Sequence, residues 1–423
     1  MKTIAFPRRP MPDGVRVRQN LPTDHVPDVR HETCRRLLDA GLRERVGRGH
    51  RIAITAGSRG MGGFVDLLGG IVDAVKAAGG IPFLVPAMGS HGGAVAAGQI
   101  EILRRLDVSE DTVGAPVHAT METVPLGSAE NGAVAHLDRF AAEADGIIVL
   151  GRIKTHPEST GPLASGLLKM TVIGLGKQHG AQEAHSHGLW DSIRAVPRLH
   201  LSRAKILFGV AVIENGYRQP VVIEAVPGTY DAFLEADERL LDIAKAHFAE
   251  IPFQDLDLLI VDEIGKTIAG TCMDPNVIGK WRVKSEGPRV PNFRRIAALS
   301  LTHGSLGNGL GVGMADFVTE RFSAEFDPGV TAVNLLTATE PGSWNSQEAL
   351  LPIALPSDRE AAEVALYSAL GGAKPSVCRI RNTACLGEFW VSEALLPEVR
   401  ENPKLSILSD PAPMSFDGEG NLF

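Results

Sequence analysis

A run of 37 residues, 151–187, concentrates the side chains of this chain that are best suited to chemistry. It holds four of the 13 histidines, together with Lys169 and Lys177, in a segment rich in glycine. Glycine lets a ligand approach the backbone closely. A lysine amine can act as a nucleophile or bind an anion, and histidine transfers protons near neutral pH or ligates a metal. The run is therefore predicted to form the centre of a functional site.

Lys169 is the only charged residue in the apolar and small segment SGLLKMTVIGLG. A lysine in such a setting must reach solvent, pair with an anion or bond covalently to another group. We favour a functional role, with a lysine that reaches solvent as the alternative. Lys177, eight residues later, is interpreted as an exposed loop residue or a secondary anion contact.

Polar residues follow three predicted strands at the point where each strand ends. The strands are predicted at 51–55, 82–86 and 145–151, and the residues that follow them are Arg59, His91 and His156. The first two strands lead through glycine-rich loops into predicted helices at 64–78 and 94–106, an order typical of a parallel sheet. Ligands bind at the carboxyl ends of such strands. Arg59 is thus a candidate anion clamp and the two histidines are candidate acid/base groups; the alternative is three surface loop residues.

His179, His185 and His187 form a second grouping, which could hold zinc. On a strand, His185 and His187 would point to one side, whereas on a helix they would lie about 200° apart. The spacing therefore favours one ligand with two bystanders over a three-histidine metal site.

Composition bounds the function classes. The chain has 423 residues and a net charge of −8, which favours two large domains or three smaller ones and argues against nucleic-acid binding. The four cysteines form no CxxC pair, which fits a reducing compartment. Charges at Asp66, Asp73 and Lys76 interrupt the apolar run 64–88, so no membrane span is predicted. We expect a cytoplasmic protein.

A second α/β unit is predicted after a boundary near residue 250. Its strands are expected at 256–262 and 295–301, and its helices at about 313–324 and 358–370. Lys266 follows the first of these strands, in a sequence that ends like a phosphate-binding loop but has Ile260 where that motif requires glycine. The predicted organisation is an N-terminal α/β cofactor-binding domain over 1–250 and a C-terminal α/β domain over 251–423, which closes over a site in the cleft between them.

The order of these residues resembles the lactate racemase family, whose members use a nickel-pincer nucleotide. The resemblance rests on Arg59 after a strand, His91 in a glycine-rich loop, His156, and then Lys169 followed by His185 sixteen residues later. The string GRIKTHPESTGPLASGLLKMTVIGLGKQHGA is similar to a branch of uncharacterised homologues, as is DEIGKTIAGTCMDPNVIGK in the second domain.

The resemblance implies a role for each matching residue. Lys169 would hold the cofactor, a pyridinium-3,5-bisthiocarboxylic acid mononucleotide with nickel, through a covalent thioamide, and His185 would ligate the nickel. His91 and His156 would act as acid and base on the two sides of a 2-hydroxy acid. Its carboxylate would be bound by Arg59 and approached by Lys266, with Lys280 as the alternative lysine. Further cofactor contacts are expected at four residues of the glycine-rich segments: Ser90, Gly92, Gly93 and Gly166.

The sequence departs from the better-known members of the family in three places. Ala56 stands where they have an aspartate, the spacing from His156 to Lys169 is three residues longer, and the loop around His91 contains GSHGG in place of a histidine–arginine pair. These departures leave the identity of the hydroxy acid and the covalent attachment open.

The predicted protein is a racemase or epimerase of a 2-hydroxy acid. Its expected partners are the small-molecule substrate and the proteins that make the cofactor, without nucleic acid or membrane, and its oligomeric state stays open. The alternatives are a zinc-dependent hydrolase that uses the three neighbouring histidines, and a non-catalytic protein that binds the nucleotide cofactor.

Overall fold

The structure is a computed structural model that describes residues 6–58, 60–156, 159, 161–284, 288–339, 346–369 and 372–422. Arg59 lies outside the described residues. The strands, in chain order β1 to β15, are Gly14–Gln19, Arg51–Ala56, Ile81–Pro86, Thr123–Ser128, Val134–Asp138, Gly146–Arg152, Ile206–Glu214, Pro220–Pro227, Asp255–Ile264, Asn292–Leu301, Phe317–Thr319, Ile353–Leu355, Val377–Ile380, Glu388–Ser392 and Leu405–Ile407.

The α-helices are, in chain order α1 to α16, Val29–Asp39, Leu42–Arg45, Phe64–Ala77, Ala96–Arg105, Glu110–Val113, Arg139–Ala142, Leu167–Lys169, Lys177–Ser186, Leu189–Arg203, Tyr230–Ala246, Pro275–Ile278, Trp281–Lys284, Glu320–Glu325, Pro328–Thr337, Asp358–Ser368 and Leu396–Glu401. A π-helical turn, Met170–Gly174, joins α7 to α8.

The chain divides into two compact α/β units. The N-terminal unit comprises 23–248 and 333–339, and the C-terminal unit comprises 6–22, 249–332 and 346–422. The main division thus falls beside the predicted boundary near 250. The predicted range 1–250 differs at its start, because β1 pairs antiparallel with β14 and β15 and so belongs to the C-terminal sheet.

The N-terminal unit is built on a five-stranded sheet in the order β3-β2-β6-β7-β8. The first four strands are parallel, and β8 is antiparallel to β7. Strands β2 and β6 are short apolar runs, RIAITA and GIIVLGR, that are buried along nearly their whole length. Such continuous apolar strands are typical of parallel sheets covered on both faces. The sheet therefore aligns the carboxyl ends of β3, β2 and β6 along one edge.

The C-terminal unit contains an eight-stranded mixed sheet in the order β12-β11-β10-β9-β13-β14-β1-β15. Strands β9 to β13 are parallel, and the last three strands are antiparallel to their neighbours. The helix predicted at 313–324 is wrong over its first half, since β11 occupies 317–319 and α13 begins at Glu320. Thr319 ends that strand and caps the helix, because its Oγ1 accepts a hydrogen bond from Phe322 N.

No helix in the described part of the chain is both long and apolar enough to span a bilayer.

Candidate functional site

A pocket of about 160 Å³ opens at the carboxyl ends of β2, β3 and β6 in the N-terminal unit. Its described lining residues are Gly57, Ser58, Met61, Phe64, Ala87, Met88, His91, Arg152, Lys154, Ser165, Gly166, Lys169, Met170, Ile173 and Gly174. Gly57 follows β2, Ala87 follows β3, and Arg152 is the last residue of β6. The pocket thus occupies the edge where parallel sheets bind their ligands.

His91 is held at this pocket by its own loop and by the loop after β2. Its Nδ1 is joined to Ser58 Oγ by a hydrogen bond of 2.6 Å. The loop backbone is fixed by Gln99, whose buried Nε2 donates to the carbonyl oxygens of Gly89 and His91 at 2.9 and 3.2 Å. Because Nδ1 is engaged by Ser58, the orientation of the imidazole ring is set, as a general acid or base requires.

Lys169 and His156 both contact Trp190, the second residue of α9. The Lys169 ammonium lies 5.8 Å from the centroid of the indole ring, within the range of a cation–π interaction. The His156 ring meets the same indole edge-on, with centroids 5.2 Å apart. Trp190 therefore links the loop after β6 to the helix that carries Lys169.

His185 is partly buried near the end of α8. Desolvation, and then repulsion by the nearby Lys169 ammonium, lower the pKa of His185 to about 4. The imidazole is consequently uncharged at neutral pH. A neutral imidazole is the form that ligates a metal, so the environment of His185 suits a metal ligand better than a proton carrier.

The lining of the pocket is cationic. Arg152, Lys154 and Lys169 contribute to it, and its described lining residues include no aspartate or glutamate. Arg152 Nη1 forms an ion pair with Glu214 Oε2 at 2.6 Å, and Glu214 Oε1 also accepts a hydrogen bond from Gly62 N at 2.5 Å. The cationic side chains of Arg152, Lys154 and Lys169 in the pocket lining favour an anionic ligand.

The other predicted site residues are placed unequally. Gly166 lines the pocket. Ser90 is buried in the same loop as His91. Gly92 and Gly93 take left-handed φ values of 72° and 67°, which favour glycine. None of these three residues is among the described residues that line the pocket.

Lys266 lies in the C-terminal unit, 7% exposed, and its Nζ donates to the carbonyl oxygen of Gly270 in the same loop. Lys280, the alternative lysine of that unit, is exposed.

The three-histidine grouping is not assembled. His179 packs its ring against His136, with centroids 5.4 Å apart, and His187 Nδ1 approaches the carbonyl oxygen of Glu183 at 3.0 Å. His185 lies instead beside Lys169. Among the residues that the structure describes, no three His, Cys, Asp or Glu side chains are grouped so as to hold a metal. The structure thus does not assemble the cluster that the zinc-hydrolase alternative would use, and that alternative stays a prediction.

The sequence analysis did not single out three pocket residues, Ser58, Arg152 and Lys154, or Trp190, which contacts Lys169. A signal existed for two of them, since Arg152 and Lys154 alternate at the end of a predicted strand and so point to one side. Of the two interpretations of Lys177, an exposed loop residue or a secondary anion contact, the first is wrong: its side chain is 0% exposed and its Nζ lies 2.9 Å from Asp138 Oδ2.

Comparison with known proteins supports the fold alone. No family model matches the chain, and no curated protein matches it. Among solved structures, the chain is similar to a Thermotoga maritima protein whose crystal structure was determined by a structural genomics consortium. The two share 13% sequence identity over 79% of this chain and 89% of that one, with a TM-score of 0.51. This likeness agrees with the two-unit α/β architecture.

Proposed function

We propose that this protein racemises or epimerises a 2-hydroxy acid with a nickel-pincer nucleotide as cofactor. The observation that carries the proposal is the neighbourhood of Lys169. This lysine lines a pocket shared with His91, lies over the indole that His156 contacts, and is close enough to His185 to lower the pKa of that imidazole. These are the four residues to which the family resemblance gives cofactor, metal and acid/base roles.

The residues present fit such a cofactor. Lys169 supplies an amine at the wall of the pocket, and His185 supplies a neutral imidazole as the one protein ligand that the resemblance assigns to nickel. Because the remaining nickel ligands would belong to the nucleotide itself, a group of three protein ligands is not required. Arg152 and Lys154 provide positive charge for the phosphate and carboxylate groups of the nucleotide or substrate.

The side chains of the protein would carry the proton steps. When bound, the nucleotide would supply reversible hydride-acceptor chemistry at the hydroxyl-bearing carbon of the substrate. His91, oriented by Ser58, and His156, held against Trp190, would take the hydroxyl proton and give it back. Two acid/base groups on separate loops fit a reaction that inverts a stereocentre, since each face of the substrate then has its own proton carrier.

The proposal is tested first by co-expressing the protein with the enzymes that build the nucleotide. We expect about one nickel per chain by elemental analysis, and inversion of at least one member of a panel of chiral 2-hydroxy acids. A substrate deuterated at C2 should keep its deuterium in the inverted product, because a hydride returned to the same carbon does not exchange with water. Washout of the label, or bound zinc without nickel, would contradict the proposal.

His91→Asn separates an enzyme from a protein that only binds the nucleotide. The variant should retain nickel but invert the substrate about 10²- to 10⁴-fold more slowly, the usual contribution of a general acid or base. His31→Asn is the matched control, because His31 is an exposed residue of α1. A wild-type protein that binds nickel but inverts no substrate would favour the non-catalytic alternative.

A further inference from the structure

Asp237, on α10, holds the start of the short helix that carries Lys169. Its Oδ1 accepts a hydrogen bond from Leu167 N at 2.8 Å, and its Oδ2 accepts one from Leu168 N at 2.9 Å. Asp237 is 4% exposed and lies 70 residues away from Leu167 in the sequence. The carboxylate therefore caps α7 from another helix rather than from the residue that precedes it, as a local cap would.

Gly166 permits this close approach. Its backbone is extended, with φ −176°, so any residue could adopt its conformation. A Cβ built at this position, however, would lie 2.3 Å from Asp237 Oδ1 and 2.5 Å from its carboxyl carbon. Any side chain at residue 166 would thus displace the carboxylate from the start of α7.

The segment held in this way has little regularity of its own. α7 spans three residues, Leu167–Lys169, and continues directly into the π-helical turn Met170–Gly174. So short a helix is unstable in isolation, and its first N–H groups have no partner within it. Two of these N–H groups are satisfied by the Asp237 carboxylate, and Lys169 is the next residue along the chain.

We propose that Asp237 is a positioning residue for Lys169, whose carboxylate fixes the first turn of α7 and thereby directs the lysine amine to the pocket. The inference rests on the proposed function for the chemistry that Lys169 performs. Asp237 is not among the described residues that line the pocket, and its carboxylate holds the backbone N–H groups of Leu167 and Leu168.

The burial of this carboxylate is costly for stability, which supports a role beyond packing. Desolvation raises the pKa of Asp237 to about 7, opposed by the two backbone N–H groups and reinforced by the charge of Glu238. A buried carboxylate that accepts hydrogen bonds from backbone N–H groups and is repelled by a like charge stabilises a fold less than an apolar side chain of similar size would. Retaining it is consistent with a need to fix the position of α7.

The test uses the full chain without cofactor, so that it does not depend on turnover. In Asp237→Asn, amide hydrogen exchange at Leu167 and Leu168 should become about fivefold faster or more, the change expected for the loss of one hydrogen bond. The rate at which an amine-reactive reagent modifies Lys169, measured by mass spectrometry at several pH values, should change relative to exposed Lys205. In the wild type this rate should also show a step near pH 7 that the variant lacks.

Asp242→Asn is the matched control, because Asp242 lies on the same helix with its side chain 80% exposed and paired with Lys245. It should leave the exchange of both amides and the modification of Lys169 at wild-type rates. Gly166→Ala provides a second route to the same effect, since it displaces the carboxylate without removing it. If Asp237→Asn does not fold, Gly166→Ala decides the outcome alone.

Unchanged exchange at Leu167 and Leu168 in both variants would overturn the inference, even if the wild type retains nickel. Faster exchange without any change at Lys169 would also overturn it, since Asp237 would then be merely structural. Faster exchange together with altered Lys169 modification would support it, and would do so even if the wild type never retained nickel, in which case the proposed function would fail separately.

Discussion

Lys169 and Lys177 lie eight residues apart in one glycine-rich run, yet the structure gives them opposite environments. Lys169 lines the pocket, over the ring of Trp190 and beside His185. Lys177 is 0% exposed, and its ammonium contacts Asp138, the carbonyl oxygen of Pro86 and, at 3.3 Å, Gln99 Oε1.

The difference shows what each lysine contributes. Lys177 has a structural role. Its ammonium donates to Pro86 O and Gln99 Oε1, and Gln99 in turn donates to His91 O, so these bonds connect the start of α8 to the loop that carries His91. Desolvation lowers the pKa of Lys177 and raises that of Asp138, while the attraction between them opposes both shifts. Lys169 instead presents its amine to a pocket. A buried carboxylate partner thus gives Lys177 a structural role, whereas Lys169 lines a pocket.

Loss of Lys169 should have the largest effect on function. In Lys169→Ala, purified after co-expression with the cofactor-building enzymes, bound nickel should fall to background because the variant lacks the proposed covalent anchor. Elemental analysis measures this, with Lys205→Ala as the control, since Lys205 is an exposed lysine of the same unit. Full nickel loading of Lys169→Ala would remove the proposed anchoring role.

Loss of Lys177 should instead act on stability. Lys177→Met leaves Asp138 as an unpaired buried carboxylate and should lower the free energy of unfolding by about 3–5 kcal/mol, as in other broken buried ion pairs. Urea denaturation measures the change. The added substitution Asp138→Asn should recover part of it, because asparagine is neutral and can still accept from Ala141 N, as Asp138 Oδ1 does at 3.0 Å. If Lys177→Met alone is as stable as the wild type, the buried ion pair with Asp138 does not contribute to stability.

The smallest effect concerns the titration of His185. Its pKa of about 4 should appear as a low midpoint in the NMR shifts of the imidazole, and Lys169→Met should raise that midpoint by removing a positive charge. A lowered pKa means that the unfolded chain binds more protons between pH 6.5 and 4. The contribution of His185 to stability is therefore complete above pH 6.5 and is lost as the pH falls through this window. If the His185 midpoint is the same in Lys169→Met as in the wild type, the charge of Lys169 does not lower the pKa of His185.

The fold was predictable where signals are local. Apolar runs between glycine-rich loops marked β2, β3 and β6 to within one or two residues. No local signal predicted β1. Its partners β14 and β15 lie far along the chain, and the residues around it resemble a surface segment. The helix expected at 313–324 failed because strand and helix meet at Thr319, where a short apolar run fits either periodicity.

By itself, the sequence determined which residue types were available and at which strand ends they would emerge: His91 after β3, His156 after β6, and Lys169 with His185 sixteen residues later. Only the tertiary structure decided their environments. It buried Lys177 against Asp138, brought His156 and Lys169 to Trp190, packed His179 against His136, and brought Asp237 to the start of α7. The physical reason is that desolvation and charge pairing depend on neighbours in space, and these neighbours come from segments that no local pattern connects.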